Sequence, residues 1–241
     1  MLETDEIVKN FGGLTAVNHV SMQVKAGEIC GLIGPNGAGK TTFLNCVAGL
    51  YKPTSGTARF DGEDLTGASA DVMCRKGMAR TFQIPLPFPG LTVLENVMVG
   101  AVFGADSKNP KPPQKRAREA LEFVHFPLPL NTPANRLNAV QLKRLDLARA
   151  LACGPKLLLL DELASGLTPG ELDDMMALIR RIRDRGTTII IVEHIMRVIQ
   201  GICDKIVVLH YGTKIAEGTT HDVLENPQVI AAYVGESASA Q

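Results

Sequence analysis

The octapeptide Gly34-Pro35-Asn36-Gly37-Ala38-Gly39-Lys40-Thr41 constrains this chain more than any other feature. It follows the apolar run Ile29-Cys30-Gly31-Leu32-Ile33 and opens a helical pattern over about 40–49. The spacing is that of G-x-x-x-x-G-K-[ST], in the strand–turn–helix context the motif needs. Glycines let the backbone curl so that several N–H groups converge, and the helix N-terminus adds a favourable dipole for an anion. Lys40 supplies a point charge for the β and γ phosphates of a nucleotide. The Thr41 hydroxyl is the expected Mg²⁺ ligand, and Thr42 completes the first helical turn. Four fixed positions arise by chance in under about one chain in a hundred of this length, so a plain glycine-rich turn is the weaker reading.

Two further segments share one logic. Leu157-Leu158-Leu159-Leu160 ends in Asp161-Glu162, and Ile189-Ile190-Ile191-Val192 ends in Glu193-His194. Both read as buried parallel strands, whose carboxyl ends are where α/β sheets bind ligands. Asp161 is thereby expected near the metal, holding it through its water shell, Glu162 as the group that polarises the attacking water, and His194 as a γ-phosphate contact. A strand ending in acids is a weak signal alone; the phosphate loop upstream gives it weight.

The rest of the chain fits an α/β class. Residues 5–33 alternate apolar and polar in short pieces, which predicts short antiparallel strands leading into a buried one. A strand is predicted over 57–61, with Gly62 as a turn. Prolines cluster between about 85 and 133 and break the pattern, while helical periodicity persists at 93–102, 114–124 and 139–153. Strand and helix patterns then alternate at 156–160, 171–185, 187–192, 195–202 and 205–209, which predicts a parallel sheet covered on both faces. The expected division is a nucleotide-binding core at 1–84 and 155–235, a helical insert at 85–154 and a frayed tail at 236–241.

Composition excludes several classes. The balance of 25 basic and 25 acidic residues argues against nucleic acid as a partner. No apolar run reaches the roughly 18–20 residues that span a bilayer. The acidic start Met1-Leu2-Glu3-Thr4-Asp5-Glu6 lacks the pattern of a secretory signal, so a role at a membrane requires docking on a partner. Cys30, Cys46, Cys74, Cys153 and Cys203 are scattered, without a CxxC pair, and read as reduced thiols of a cytosolic protein.

The order of motifs resembles an ABC-transporter ATP-binding subunit, with its P-loop NTPase fold, over nearly the whole chain. The resemblance implies an N-terminal antiparallel β-subdomain, a mainly parallel central sheet and a helical subdomain, with ATP and Mg²⁺ as ligands. It implies adenine stacking by Phe11 in Asn10-Phe11-Gly12-Gly13. It assigns Mg²⁺ sensing and coupling to the membrane subunit to Gln83, in Arg80-Thr81-Phe82-Gln83. Asp161, Glu162 and His194 match the metal-organising acid, the catalytic acid and the switch histidine. Ala164-Ser165-Gly166-Leu167-Thr168-Pro169 is similar to the loop that crosses to the second ATPase subunit. Phe11-Gly12-Gly13-Leu14-Thr15-Ala16-Val17, Leu91-Thr92-Val93-Leu94-Glu95-Asn96-Val97, Tyr211-Gly212-Thr213-Lys214-Ile215-Ala216-Glu217-Gly218 and Ala232-Tyr233-Val234-Gly235-Glu236 resemble ATP-binding subunits of branched-chain amino-acid importers. That subgroup implies a different second ATPase chain packed head-to-tail, transmembrane permease subunits, an extracytoplasmic solute-binding protein, and a peripheral place on the cytoplasmic face of the inner membrane. Relatives in it carry urea, amides or aromatic acids, so the solute stays open.

Three departures stand out. The family's Leu-Ser-Gly-Gly-Gln loop is here Leu137-Asn138-Ala139-Val140-Gln141. Asn138 is a good N-cap, and its amide can donate to a phosphate, but the β-branched Val140 obstructs the close backbone approach that glycine permits. Leu163 replaces a proline after the acidic pair, which is expected to loosen Glu162. The proline-broken run Phe126-Pro127-Leu128-Pro129-Leu130 departs as well. The altered loop keeps a second reading open, a nucleotide-binding subunit with little turnover. A non-membrane ATPase of the same fold is a third, and a small-molecule kinase the least supported.

Overall fold

A computed structural model describes residues 1–105 and 109–239. Two sheets and a helical layer make up the fold. The first sheet is antiparallel and contains β1 (Leu2–Phe11), β2 (Leu14–Val24), β4 (Ser55–Phe60) and β5 (Glu63–Asp64), in the order β2-β1-β4-β5. β1 and β2 are long strands of 10 and 11 residues, not the short pieces expected. The reason is a bulge on each strand. Glu6 and His19 sit at φ 50° and 52°, and the pairing register shifts between Thr4 and Ile7. Each bulge turns the following residues to the other face, so one strand reads in sequence as two fragments. His19 Nδ1 lies 2.8 Å from Glu6 Oε2, and the Ser21 hydroxyl accepts from the Glu6 N–H, which ties the two bulges together.

The second sheet has six strands in the order β10-β9-β3-β8-β7-β6. They are β3 (Ile29–Ile33), β6 (Met78–Arg80), β7 (Leu157–Asp161), β8 (Thr188–Val192), β9 (Lys205–His210) and β10 (Thr213–Gly218). All pair in parallel except β10, which is antiparallel to β9. Alternate residues of the apolar strands feed two separate cores. Leu158, Leu160, Ile189 and Ile191 pack with the helical layer and α6 (Pro169–Asp184), while Leu157, Leu159, Ile190 and Val192 pack with α1 (Lys40–Val47) and the antiparallel sheet. Burial on both faces explains why these strands are unbroken apolar runs.

The helical layer comprises α3 (Val93–Phe103), α4 (Pro113–Phe123) and α5 (Ala139–Ala152). The proline-rich run before α5 has a defined task. Thr132 and Leu130 carbonyls accept from the N–H groups of Val93 and Leu94, which the start of α3 would otherwise leave unsatisfied. α3 approaches the end of α5 at backbone distance: a Cβ on Gly100 would fall 2.2 Å from the Arg149 carbonyl oxygen.

Elements that the periodicity did not reveal are short or peripheral. They are β5, β6, α2 (Ala70–Lys76), β10, α7's neighbour α8 (Thr220–Leu224) and α9 (Pro227–Ser239); α7 itself spans Met196–Ile202 as expected. α9 runs to Ser239 and so extends over residues 236–239 of the expected tail; 240 and 241 lie outside the described residues, as do 106–108 of the insert. No helix of the described residues is long and apolar enough to cross a membrane.

Gly100→Val should cost about 1–3 kcal/mol or more through overpacking against α5. Gly90→Ala, at a position with open space around it, should stay within about 0.5 kcal/mol. Urea denaturation of both variants measures the contrast.

Candidate nucleotide site

β3, β7 and β8 end at one edge of the parallel sheet, and the segments leaving β3 and β7 help to frame a groove of about 330 Å³. Its floor is the 36–42 stretch; Leu14, Thr15, Ala16, Tyr211 and Glu162 form its walls. Two glycines of the loop are required by packing. A Cβ on Gly34 would lie 2.0 Å from the Leu209 carbonyl oxygen, and one on Gly39 2.3 Å from that of Ala16. Gly37, at φ 75°, instead faces open space.

The start of α1 is prepared for an anion. Gly39 is its N-cap and brings no capping side chain, and no acidic residue occupies the first turn. The first-turn N–H groups therefore retain their capacity to bind a phosphate. Lys40 Nζ donates to the Gly34 and Pro35 carbonyls at 2.6 and 2.7 Å, which places its charge across the mouth of the loop.

Opposite this cradle lies a carboxylate pair. Glu162 takes a left-handed conformation at φ 48°, and its N–H donates to the Val192 carbonyl at 2.9 Å. Its Oε2 accepts from Gln83 Nε2 at 2.6 Å. Asp161 is buried, and its Oδ2 accepts from Arg80 Nη2 at 2.7 Å. Arg80 Nη1 also donates to Asn45 Oδ1 of α1. Lys40, Thr41, Thr42 and Glu162 thus line one groove, and Gln83 joins it through its bond to Glu162, while Asp161 precedes Glu162 at the end of β7.

Leu163 does not leave this turn loose. It is buried, and Lys143 Nζ donates to its carbonyl at 3.0 Å and to that of Ser165. Glu193 Oε1 accepts from the Ala164 N–H at 2.7 Å. Burial raises the Glu193 pKa and lowers that of Lys143, the latter opposed by the charges of Glu193 and Glu162.

Other expected residues stand apart from the groove. Phe11 packs edge-on against Tyr51 at 5.4 Å, with Lys9 Nζ 5.0 Å from its ring. His194 is exposed beyond the end of β8. Asn138, Ala139, Val140 and Gln141 open α5, where Asn138 and Gln141 form a reciprocal capping box. Arg80, Asn45, Lys143 and Tyr211 escaped the sequence reading. For Arg80 the available signal was a cation at the end of the short apolar strand Met78–Arg80.

Residues 17–165 match the family model described as ABC transporter. The chain belongs to the ABC transporter family. The C-terminal part of this cassette, residues 213–239, matches a second model, described as branched-chain amino acid ATP-binding cassette transporter. The high-affinity branched-chain amino acid transport ATP-binding protein BraF of Pseudomonas aeruginosa is 39% identical to the cassette over 251 residues, covering 98% of both chains. The crystal structure of the ADP conformation of an ATP-binding cassette superposes with a TM-score of 0.87 at 32% identity, covering 98% of both chains. A dimeric bacterial ABC transporter cassette superposes at 0.83 and 27% identity, covering 91% of this chain and 99% of that one. The ABC ATPase fold expected from sequence is the fold observed.

The raised Glu193 pKa makes a signed prediction. The folded state holds this proton more tightly than the unfolded state, whose value is near 4.5. The wild-type cassette therefore loses this contribution as pH rises from there through the folded pKa. Glu193→Gln keeps the acceptor for Ala164 and cannot ionise. Its stability relative to wild type should rise across that window and level off above it, as read by urea denaturation between pH 4.5 and 8.

Proposed function

We propose that this cassette hydrolyses MgATP to drive import of branched-chain amino acids or a related small solute. The observation that carries the reading is the 2.6 Å Gln83–Glu162 hydrogen bond, which holds a carboxylate of the groove that Lys40 and the start of α1 also line. A carboxylate held there faces the position of a terminal phosphate. The loop N–H groups and Lys40 bind and orient the phosphates. Glu162 accepts the proton side of an attacking water, and Gln83 fixes the carboxylate's direction. Thr41, Gln83 and Asp161 would hold Mg²⁺, and a hydroxyl, an amide oxygen and a carboxylate suit that hard cation. When bound, it neutralises charge on the phosphates. His194 serves at the γ-phosphate and Phe11 at the base once the subunits close. Residues 1–84 and 155–235 form the nucleotide core, and 85–154 the unit that moves against it.

Partner surfaces support the same reading. Asn138–Gln141 do not line this chain's own groove, so the loop is assigned to the ATP site of a second, head-to-tail cassette; one similar solved cassette is a dimer. A second groove of about 500 Å³ lies between α2, β6 and the α3–α5 pair. It is apolar, and Leu86, Phe88 and Phe103 are exposed along it. This surface suits a helix of a transmembrane permease near Gln83. The cassette then works at the cytoplasmic face of the inner membrane, with an extracytoplasmic solute-binding protein delivering the solute.

ATP turnover should be measured on the chain alone and with a second ATP-binding subunit. Glu162→Gln should lower partner-dependent turnover by about 10²–10⁴-fold while ATP still binds. ATP binding without turnover in any combination favours the binding-only reading, which the altered 138–141 loop supports. Val140→Gly should raise turnover at the partner's site and not at this chain's own site. Restoring one preorganised donor is worth about 2.7–4 kcal/mol in comparable settings, and a mixed-subunit assay that leaves both sites unchanged counts against the assignment.

A further inference from the structure

Arg80 touches two features that are otherwise separate. On one side its guanidinium reaches Asp161 Oδ2 at 2.7 Å and Asn45 Oδ1 of α1. On the other it lines the apolar groove, and its guanidinium carbon lies 5.2 Å from the centre of the Phe82 ring. The ion pair is nearly dry, with side-chain exposures of 7% for Arg80 and 4% for Asp161. No hydrogen bond among the described residues ends on Asp161 Oδ1, and Arg80 Nε is buried without a partner.

A structural counter-ion for Asp161 is the simpler account, because a buried carboxylate needs a cation. It leaves three facts unused. A counter-ion does not require the second grip on Asn45, the placement over Phe82 or a position in the groove wall. An arginine fork does all three in one plane, whereas a lysine reaches one acceptor at a time. Phe82 is itself held from behind, its N–H donating to Asp146 Oδ2 of α5 at 3.1 Å. Movement of α5 therefore reaches Phe82, and through it the plane of Arg80.

We propose that Arg80 is a positioning residue that fixes Asp161 with Oδ1 left toward the metal side of the site, and that it transmits displacement of Phe82 in the apolar groove to that carboxylate. The inference rests on Asp161 being the metal-organising acid of the proposed function. Its readout is binding and not turnover.

The test measures ATP affinity of the full chain by calorimetry, in EDTA and in Mg²⁺, and takes the ratio as the Mg²⁺ gain. Arg80→Met should keep the EDTA affinity within about twofold and lower the Mg²⁺ gain at least about fivefold. Arg80→Lys should recover part of that loss. Phe82→Ala should lower the gain less, and the Arg80→Met/Phe82→Ala double variant should be no worse than Arg80→Met, as coupled residues behave in a double-mutant cycle. Arg80→Met retaining the wild-type gain overturns the proposal. So does Phe82→Ala lowering the gain by the same factor with and without Arg80. If Arg80→Met does not fold, Asn45→Ala, which removes one anchor and leaves the ion pair, should give an intermediate loss; an unchanged gain overturns the proposal. A wild-type chain with no Mg²⁺ gain overturns both this inference and the assignment of Asp161, whereas a gain that Arg80→Met retains overturns this inference alone.

Discussion

Leu32 of β3 lies beside Val192 of β8, and Val192 beside Asp161 of β7, in one parallel register. The strands end at Ile33, Asp161 and Val192, on or next to that line, so the phosphate loop, Glu162 and His194 all leave from one edge. A slip of one residue in either pairing would turn the apolar strands inside out, because both faces are buried in different cores. The register that positions the chemistry is thus the register that burial enforces. The site needs no separate device to align its three strands.

The polar groups behind that edge are costly and are satisfied in pairs. Asp161 with Arg80, Asp146 with Arg149, and Glu193 with the Ala164 N–H sit where an unpaired charge would be heavily penalised. The three acids also join segments far apart in sequence, Asp146 through its bond to the Phe82 N–H and not through its helical neighbour Arg149. Asp161–Arg80 connects β7 to β6, Asp146 holds the Phe82 backbone to α5, and Glu193 fastens the turn after Glu162. Removing one member would leave its partner buried and alone, so geometry is specified here by the penalty for disorder more than by net attraction.

Legibility in the sequence followed the same division. The phosphate loop is local: its glycines, Lys40 and Thr41 are consecutive, and the strand and helix around it are periodic. Glu162 was legible because a strand end in a parallel sheet has a known direction. Arg80, Asn45 and Lys143 were not, because their partners lie 19 to 81 residues away and short elements such as β6 carry no periodic signal. The long strands β1 and β2 read as fragments because bulges at Glu6 and His19 reset their alternation. The chain's helical end was missed for a different reason: small and polar residues at 236–239 have no amphipathic pattern, yet α9 continues through them.

The altered loop at the start of α5 shows how local capping and remote function compete. Its capping box engages the N–H of Gln141 with Asn138 Oδ1 and the N–H of Asn138 with Gln141 Oε1. Helix initiation is therefore secure without a serine. What remains for an anion are the first-turn N–H groups of Ala139 and Val140 and the side-chain amide nitrogens of Asn138 and Gln141. In a glycine loop the backbone N–H groups approach the phosphate directly, whereas here the half-buried Val140 stands beside them. Donation through the longer side-chain amides is less preorganised and serves charge that develops in a transition state less well. The cassette's own phosphate cradle is unaffected by this change, since none of the four residues lines it. Under the proposed head-to-tail pairing, the less preorganised donors would face the ATP site of the second cassette, and Val140 would act there and not in the groove of its own chain.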